Sequence, residues 1–468
     1  LLIIVEAQTR IFTFTPHKCI RRIDFYQAKK NNLLTRVIMK YSAIDNKLFI
    51  DNRKRFVKKL KPGSLAVFNS NDIMPTSADG AMAFVQNTDI FYLSGIDQEE
   101  SILVLFPDAK NPAHREILFL KETNDHIAVW EGHKYTKKEA TQTSGVTTVY
   151  WMSQFFMVFN AMMGECEHVC LNSNEHSRAF IEVQTRDARF VKWCQERYPL
   201  HSYYRAAPIM HDLRAIKSKQ EIELMQQACN ITEQGFRRLL KFVKPGVMEY
   251  QLEAELVHEF ISNRSRGFAY GPIIASGGNA CVLHYTDNNK QCKAGDVILL
   301  DVAAEYANYT SDLTRCLPIS GKFSKRQKDV YNAVLRVMKA ATKLLDVGNT
   351  LEKLNKEVGW IMQEELIKLG LLKAADVKKQ NPEAPLFKKY FMHGTSHFLG
   401  LDVHDVGSHT RPFEEGMVFT CEPGIYIPEE SLGIRLENDV LVTKKGPVDL
   451  MKNIPIEADE IEELMKGK

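Results

Sequence analysis

Apolar residues between Ile44 and Leu60 recur at helical spacing among lysines and arginines. The spacing predicts an amphipathic helix over 45–61, stopped by Lys61-Pro62-Gly63. The pattern then changes to short runs dense in β-branched and aromatic residues. SLAVF (64–68), SILVLF (101–106), EILFL (116–120) and TTVYW (147–151) read as strands. Helical patterns lie between and after them, so 39–211 reads as a mixed α/β domain.

A different programme starts near 213. Ser218-Lys219-Gln220-Glu221 has the spacing of a capping box, which opens a helix running to about Val243. Lys244-Pro245-Gly246 ends it, a second helix covers 249–263, and β-rich sequence follows to about 320. The order then repeats. Ser324-Lys325-Arg326-Gln327 opens a helix to about Leu345, Gly348 breaks it, a helix follows over 350–369, and a β-rich block closes the chain. Two copies of helix, helix, sheet suggest a pseudo-symmetric α+β domain over 212–468.

Length and charge narrow the classes. At 468 residues the chain exceeds one ordinary core, so two domains are expected. A net charge of +3 gives no footing for a nucleic-acid or membrane role. No apolar run approaches the roughly 20 residues that span a bilayer. The nine cysteines, at 19, 166, 170, 194, 229, 281, 292, 316 and 421, have no framework spacing. Reduced thiols and a cytoplasmic location follow. Cys166 and Cys170 have no second Cys/His pair at finger spacing and read as small buried residues. Residues 1–38 hold seven Lys/Arg and two acids, a pattern shared by targeting segments and non-native leaders; Met39 is the expected functional start.

The candidate chemistry sits in the two β-rich blocks. In DVILLDVAAEYANYTSDLTR (296–315) a turn centred between Tyr306 and Ala307 sets Asp301 opposite Asp312. In VFTCEPGIYIPEESLGIRLEND (418–439) a turn centred on Glu429-Glu430 sets Glu422 opposite Glu437. Opposed residues share a sheet face, where like charges are destabilising unless a cation lies between them. The bland alternative, solvated acids flanking turns, is adopted for Asp405 and Glu305. Four carboxylates with a histidine make a hard donor set suited to Mn²⁺, and the count suits two ions about 3.5–4 Å apart.

One segment, HGTSHFLGLDVHD (393–405), carries three histidines. His393 and His397 have the spacing of a helical zinc pair, yet Gly394 and the missing HExxH glutamate argue against that helix. Each histidine is also readable as a core imidazole.

Five spaced motifs now resemble one family. They are Gly277-Gly278-Asn279-Ala280 leading to Leu283-His284-Tyr285, LLDVAAEYANYTSDLTR, HGTSHFLGLDVHDVG, EPGIYIP and GIRLENDV; QNTDIFYLSGIDQEESILVLFPD matches upstream. The chain resembles the pita-bread metallopeptidases, most closely the Xaa-Pro aminopeptidases, from about residue 45 to its end. The resemblance implies an N-terminal α/β domain of the creatinase/aminopeptidase P type ahead of a pita-bread catalytic domain. It implies metal ligands at Asp301, Asp312, His397, Glu422 and Glu437, two ions, most often manganese, and a bridging hydroxide nucleophile. It further implies catalytic roles for Glu422 and His404, substrate contacts from His284, His393, His404 and Arg435, and dimers or tetramers. One departure is Val85, where many relatives carry arginine; it bears on contacts between domains or subunits, away from the ligands.

Three alternatives stand beside this reading. Prolidase uses the same ligands on dipeptides alone. A non-catalytic binding module on this fold would have lost ligands, and here none is missing. A dinuclear phosphoesterase explains the carboxylates but not the histidine run.

Overall fold

Capping and periodicity place the helices close to where the sequence puts them. A computed structural model describes residues 40–179 and 182–466; the basic segment 1–38 and the start at Met39 lie outside the described residues. The first helix spans Lys47–Val57. Six strands follow: β1 (Ser64–Asn69), β2 (Ile102–Leu105), β3 (Glu116–Leu120), β4 (Thr148–Trp151), β5 (His168–Leu171) and β6 (Ser202–Arg205). They form one sheet in the order β4-β3-β2-β1-β5-β6. The β1–β5, β5–β6 and β3–β4 pairs are parallel, and the rest antiparallel. Strands β5 and β6, each four residues long, are absent from the sequence expectation. One face of the sheet packs on Phe155, Phe159 and Cys194 from the helices Phe155–Met163 and Arg186–Arg197.

In the second half, Ser218 Oγ accepts from Glu221 N–H while Glu221 Oε2 accepts from Ser218 N–H at 2.8 Å, the two bonds of a capping box. It opens the helix Lys219–Phe242, and Glu249–Ser262 packs against it. The strands that follow are β7 (Ile273–Ser276), β8 (Val297–Asp301), β9 (Glu305–Tyr306), β10 (Tyr309–Thr310) and β11 (Thr314–Pro318). Ser324 and Gln327 repeat the box, and the helices Lys325–Leu344 and Leu351–Lys368 repeat the pair. Then come β12 (Val418–Cys421), β13 (Gly424–Ile427), β14 (Leu432–Arg435), β15 (Asn438–Leu441) and β16 (Val448–Asp449). This is the expected pita-bread α+β architecture. One apolar cluster runs through both halves, from Phe56 and Phe68 by Leu252 and Leu300 to Met465.

Register decides the site. The turn between β9 and β10 falls on Ala307 and Asn308, both left-handed at φ 53° and 68°. It lies one position later than the sequence places it, so Asp301 faces Thr314 rather than Asp312. A two-residue hairpin turn of this hand needs two left-handed residues in succession, and asparagine tolerates that conformation well. Moving the turn by one shifts the pairing by two, which preserves the face; Asp301 and Asp312 become diagonal neighbours rather than opposed ones. In the second hairpin the expected register holds. Gly424 faces Arg435 and Cys421 faces Asn438, which leaves Glu422 and Glu437 across from each other where the two ladders meet.

Two acids set aside as solvated are buried. Asp405 is 5% exposed and pairs with Arg214 and Lys217, while Glu305 is 6% exposed and accepts from the N–H groups of Arg266 and Asn308. Neither context is visible in the local sequence, since their partners lie up to 191 residues away. Cys166 and Cys170 are buried free thiols, each pushed up to about 12 by burial. Among the described residues, no helix is long and apolar enough to cross a membrane.

Candidate metal centre

Strand β8 ends on Asp301, the short connection between β10 and β11 brings Asp312 beside it, and the β12–β15 junction adds Glu422 and Glu437. His397 enters from an irregular segment pinned to β12, where its N–H donates to Thr420 Oγ1 at 3.1 Å and Thr420 N–H returns to its carbonyl at 3.0 Å. His397 Nδ1 lies 2.9 Å from the Phe398 carbonyl. A carbonyl only accepts, so Nδ1 carries a proton and Nε2 points away from it, able to offer a lone pair to a metal once the ring is neutral. Nε2 faces Asp312 Oδ2 at 3.5 Å and Glu422 Oε1 at 3.6 Å.

The charge balance of this cluster calls for a cation. Ligand atoms of Asp312, His397 and Glu437 lie within 4.8 Å of one another. Burial, then repulsion from Asp312, Glu422 and Asp301, pushes the Glu437 carboxyl well above its ordinary value. Burial also raises Glu422 to about 7, against the pull of His397 and Arg435. Asp301 is raised by burial despite Arg435. For His397 burial favours the neutral ring, but Asp312 and Glu422 overcome it and raise the imidazole to about 9. Acids raised by burial and by one another are short of positive charge, and the hard oxygen donors with one imidazole fit divalent ions.

Neighbouring groups hold the donors in place. Tyr270 donates to Asp301 Oδ1 at 2.6 Å, Arg435 to Asp301 Oδ2 at 2.5 Å, and Thr314 to Glu437 Oε2 at 2.5 Å. Asp439 accepts the Asp312 backbone N–H at 3.1 Å. The sequence reading missed Tyr270, Thr314 and Asp439. Thr314 follows from the register once the turn is placed; Tyr270 has no local signal, because it reaches Asp301 only after folding. Tyr270→Phe is expected to weaken divalent-metal affinity about 10-fold with an unchanged fold, read by calorimetric metal titration.

The remaining expected residues surround this cluster. Arg435 is 4% exposed and also donates to Tyr426 Oη at 2.9 Å and Thr314 Oγ1 at 3.1 Å. Tyr426 Oη lies 2.8 Å from His393 Nε2, and His393 Nδ1 lies 2.7 Å from the Gly394 carbonyl. Burial, then Arg435, lowers His393 to about 4, so the ring is neutral. His404 stacks on His397 with ring centroids 4.0 Å apart, and Arg178 Nη1 comes within 2.7 Å of its Nδ1. Burial, His397 and Arg178 lower His404 to about 3. His284 is exposed at the end of the 277–281 turn. A cavity of about 730 Å³ opens beside His404, between Val403 and Leu401 on one side and Phe84, Val85 and Asn87 on the other. Val85 therefore shares a cavity with His404, although none of the five expected ligands lines it.

Comparisons with known proteins show the family. Residues 223–444 match the family model described as metallopeptidase family M24, and residues 49–171 match the aminopeptidase P N-terminal domain. The chain is 33% identical to the Xaa-Pro aminopeptidase of Escherichia coli strain K12 over 91% of its length and 98% of that protein's. Among solved structures it is similar to aminopeptidase PepP of Pseudomonas aeruginosa, with TM-score 0.83 and 29% identity over 91% of this chain and 98% of that one. It is also similar to zinc-substituted E. coli aminopeptidase P in complex with product, with TM-score 0.80 and 32% identity over 91% and 99% of the two chains.

Proposed function

The chain belongs to metallopeptidase family M24, and from that premise we propose that it removes the N-terminal residue from peptides with proline in second position. One observation carries the site assignment: His397 Nε2 is aimed between Asp312 and Glu422, with Glu437 in reach. Asp301, Asp312, His397, Glu422 and Glu437 are the proposed ligands of two divalent ions, with Mn²⁺ the expected metal. Bound there, such ions supply Lewis acidity and lower the pKa of water to near neutrality.

The chain's own residues do the rest. Glu422, part-buried with Oε1 3.6 Å from His397 Nε2, is the carboxylate proposed to take a proton from the attacking water and pass it to the leaving proline nitrogen. His404 is neutral and keeps an N–H for the oxyanion that develops at the scissile carbonyl. His393 and His284 flank the proline side, with the His393 ring fixed by Tyr426 and the Gly394 carbonyl. Arg435 is better placed to orient Asp301 and Tyr426 than to meet substrate directly. The amide before proline has no N–H and a restricted backbone, so a pocket shaped for the ring provides specificity.

The division near 211 belongs to the same proposal, supported by family matches on either side of it, as does the cytoplasmic location suggested by the free thiols. Exposed Ile73, Met74, Met82 and Val85 on one stretch support a dimer or tetramer, read by light scattering. The decisive assay compares Xaa-Pro with Xaa-Pro-Yaa after manganese reconstitution. Cleavage of the tripeptide is expected; cleavage of the dipeptide alone would make the enzyme a prolidase.

A further inference from the structure

Behind His404 lies a buried charge cluster that the proposed mechanism does not use. Its centre is Arg214, whose side chain is 3% exposed. Nη1 donates to Thr88 Oγ1 and Asp89 Oδ1, both at 2.8 Å, in the N-terminal half. Nη2 donates to Asp402 Oδ2 at 2.7 Å and Asp405 Oδ1 at 2.6 Å, on the two sides of His404. Lys217 completes the Asp405 carboxylate at 3.2 Å. Burial alone would raise the Asp405 carboxyl, but Arg214 and Lys217 hold it below its ordinary value.

The cluster also meets the two stacked imidazoles at the Phe398 carbonyl. The Asp405 N–H donates to the Phe398 carbonyl at 2.9 Å, and that carbonyl also accepts His397 Nδ1–H. The turn between them has no slack: a Cβ at Gly400 would run into the Asp405 carboxylate, and the Gly400 carbonyl is held by Thr310 N–H and Oγ1, each at 2.8 Å. On the other side, Asp89 sits in the first turn of the helix Thr88–Ser94. The Asn87 side chain caps that helix, so the carboxylate is presented from a fixed element.

We propose that Asp89 and Arg214 are positioning residues for His404: the N-terminal half sets the 402–405 turn through this guanidinium, and with it the direction of the His404 ring. The proposal rests on the reading of His404 as a group acting on substrate. Asp89 is well suited to test it, because its carboxylate accepts from Arg214 Nη1 at 2.8 Å and none of the proposed metal ligands or histidines bonds to it; it lines the same cavity as His404, so KM is read beside kcat.

The test uses the full, metal-loaded chain and an Xaa-Pro-Yaa peptide, with Asp89→Ala, Asp89→Asn, His404→Ala and the double variant Asp89→Ala/His404→Ala. Misplacing a catalytic group by about 1 Å costs on the order of 10²-fold, so Asp89→Ala is expected to lower kcat about 10- to 100-fold with KM within about twofold. Asp89→Asn keeps an acceptor for Arg214 and should recover part of the loss. The double variant should be no slower than His404→Ala alone, because both changes remove the same contribution. Losses that multiply in the double variant, or an unchanged kcat in both Asp89 variants, would overturn the positioning role. Full activity of His404→Ala would instead remove the reading of His404 itself.

Discussion

Glu437→Ala is expected to cut kcat/KM for Xaa-Pro-Yaa at least about 10³-fold, roughly 4 kcal/mol of barrier, and to lower bound metal in parallel. Glu437 is raised well above its ordinary value, first by burial and then by Asp312, Glu422 and Asp301, with Arg435 opposing them less strongly. It also sits within ligand distance of Asp312 and His397. Removing a structural ion-pair partner normally destabilises a fold, whereas removing one of four crowded carboxylates relieves repulsion. The metal-free variant should therefore melt no lower than metal-free wild type. A loss of activity accompanied by a fall in metal-free Tm would mark Glu437 as a structural residue instead.

The second large effect is a pH-dependent stabilisation by metal. In the metal-free protein Glu422 is raised to about 7, and Asp301 and Glu437 are raised as well. A carboxyl whose folded pKa exceeds its unfolded one binds more protons in the folded state between those two values. Stability then falls as pH rises from about 4 through the folded pKa. His397, raised to about 9 by the same acids, adds a loss between its unfolded value and about 9. Metal-free protein should accordingly melt lower at pH 8 than at pH 5. Divalent metal replaces those protons and binds only the deprotonated ligands, so the Mn²⁺-induced rise in Tm should be larger at pH 8 than at pH 5. Calorimetry at the two pH values with and without Mn²⁺ reads this directly; an equal rise at both would mean the acids do not surround the ion.

Much of this was legible along the chain. The helix pairs at 219–242 and 249–262, and again at 325–344 and 351–368, follow from capping residues and period, which are local properties. The register at Glu422 and Glu437 was also readable, since the turn residues lie between two apolar runs. The hairpin at Asp301 was off by one turn position, because Ala307 in a left-handed conformation contradicts its own preference and is held there by its surroundings.

What the sequence by itself determined was the inventory: which carboxylates end strands, which histidines share a segment, and the order of elements that delivers them. Tertiary structure alone decided their states. Whether Asp405 is solvated or clamped by Arg214 depends on a partner 191 residues away. Whether His397 offers Nε2 depends on the Phe398 carbonyl beside it, whose direction is set by the turn that Asp405 closes. Ligand identity is a one-dimensional property; burial, tautomer and charge balance are set by neighbours that only folding brings together.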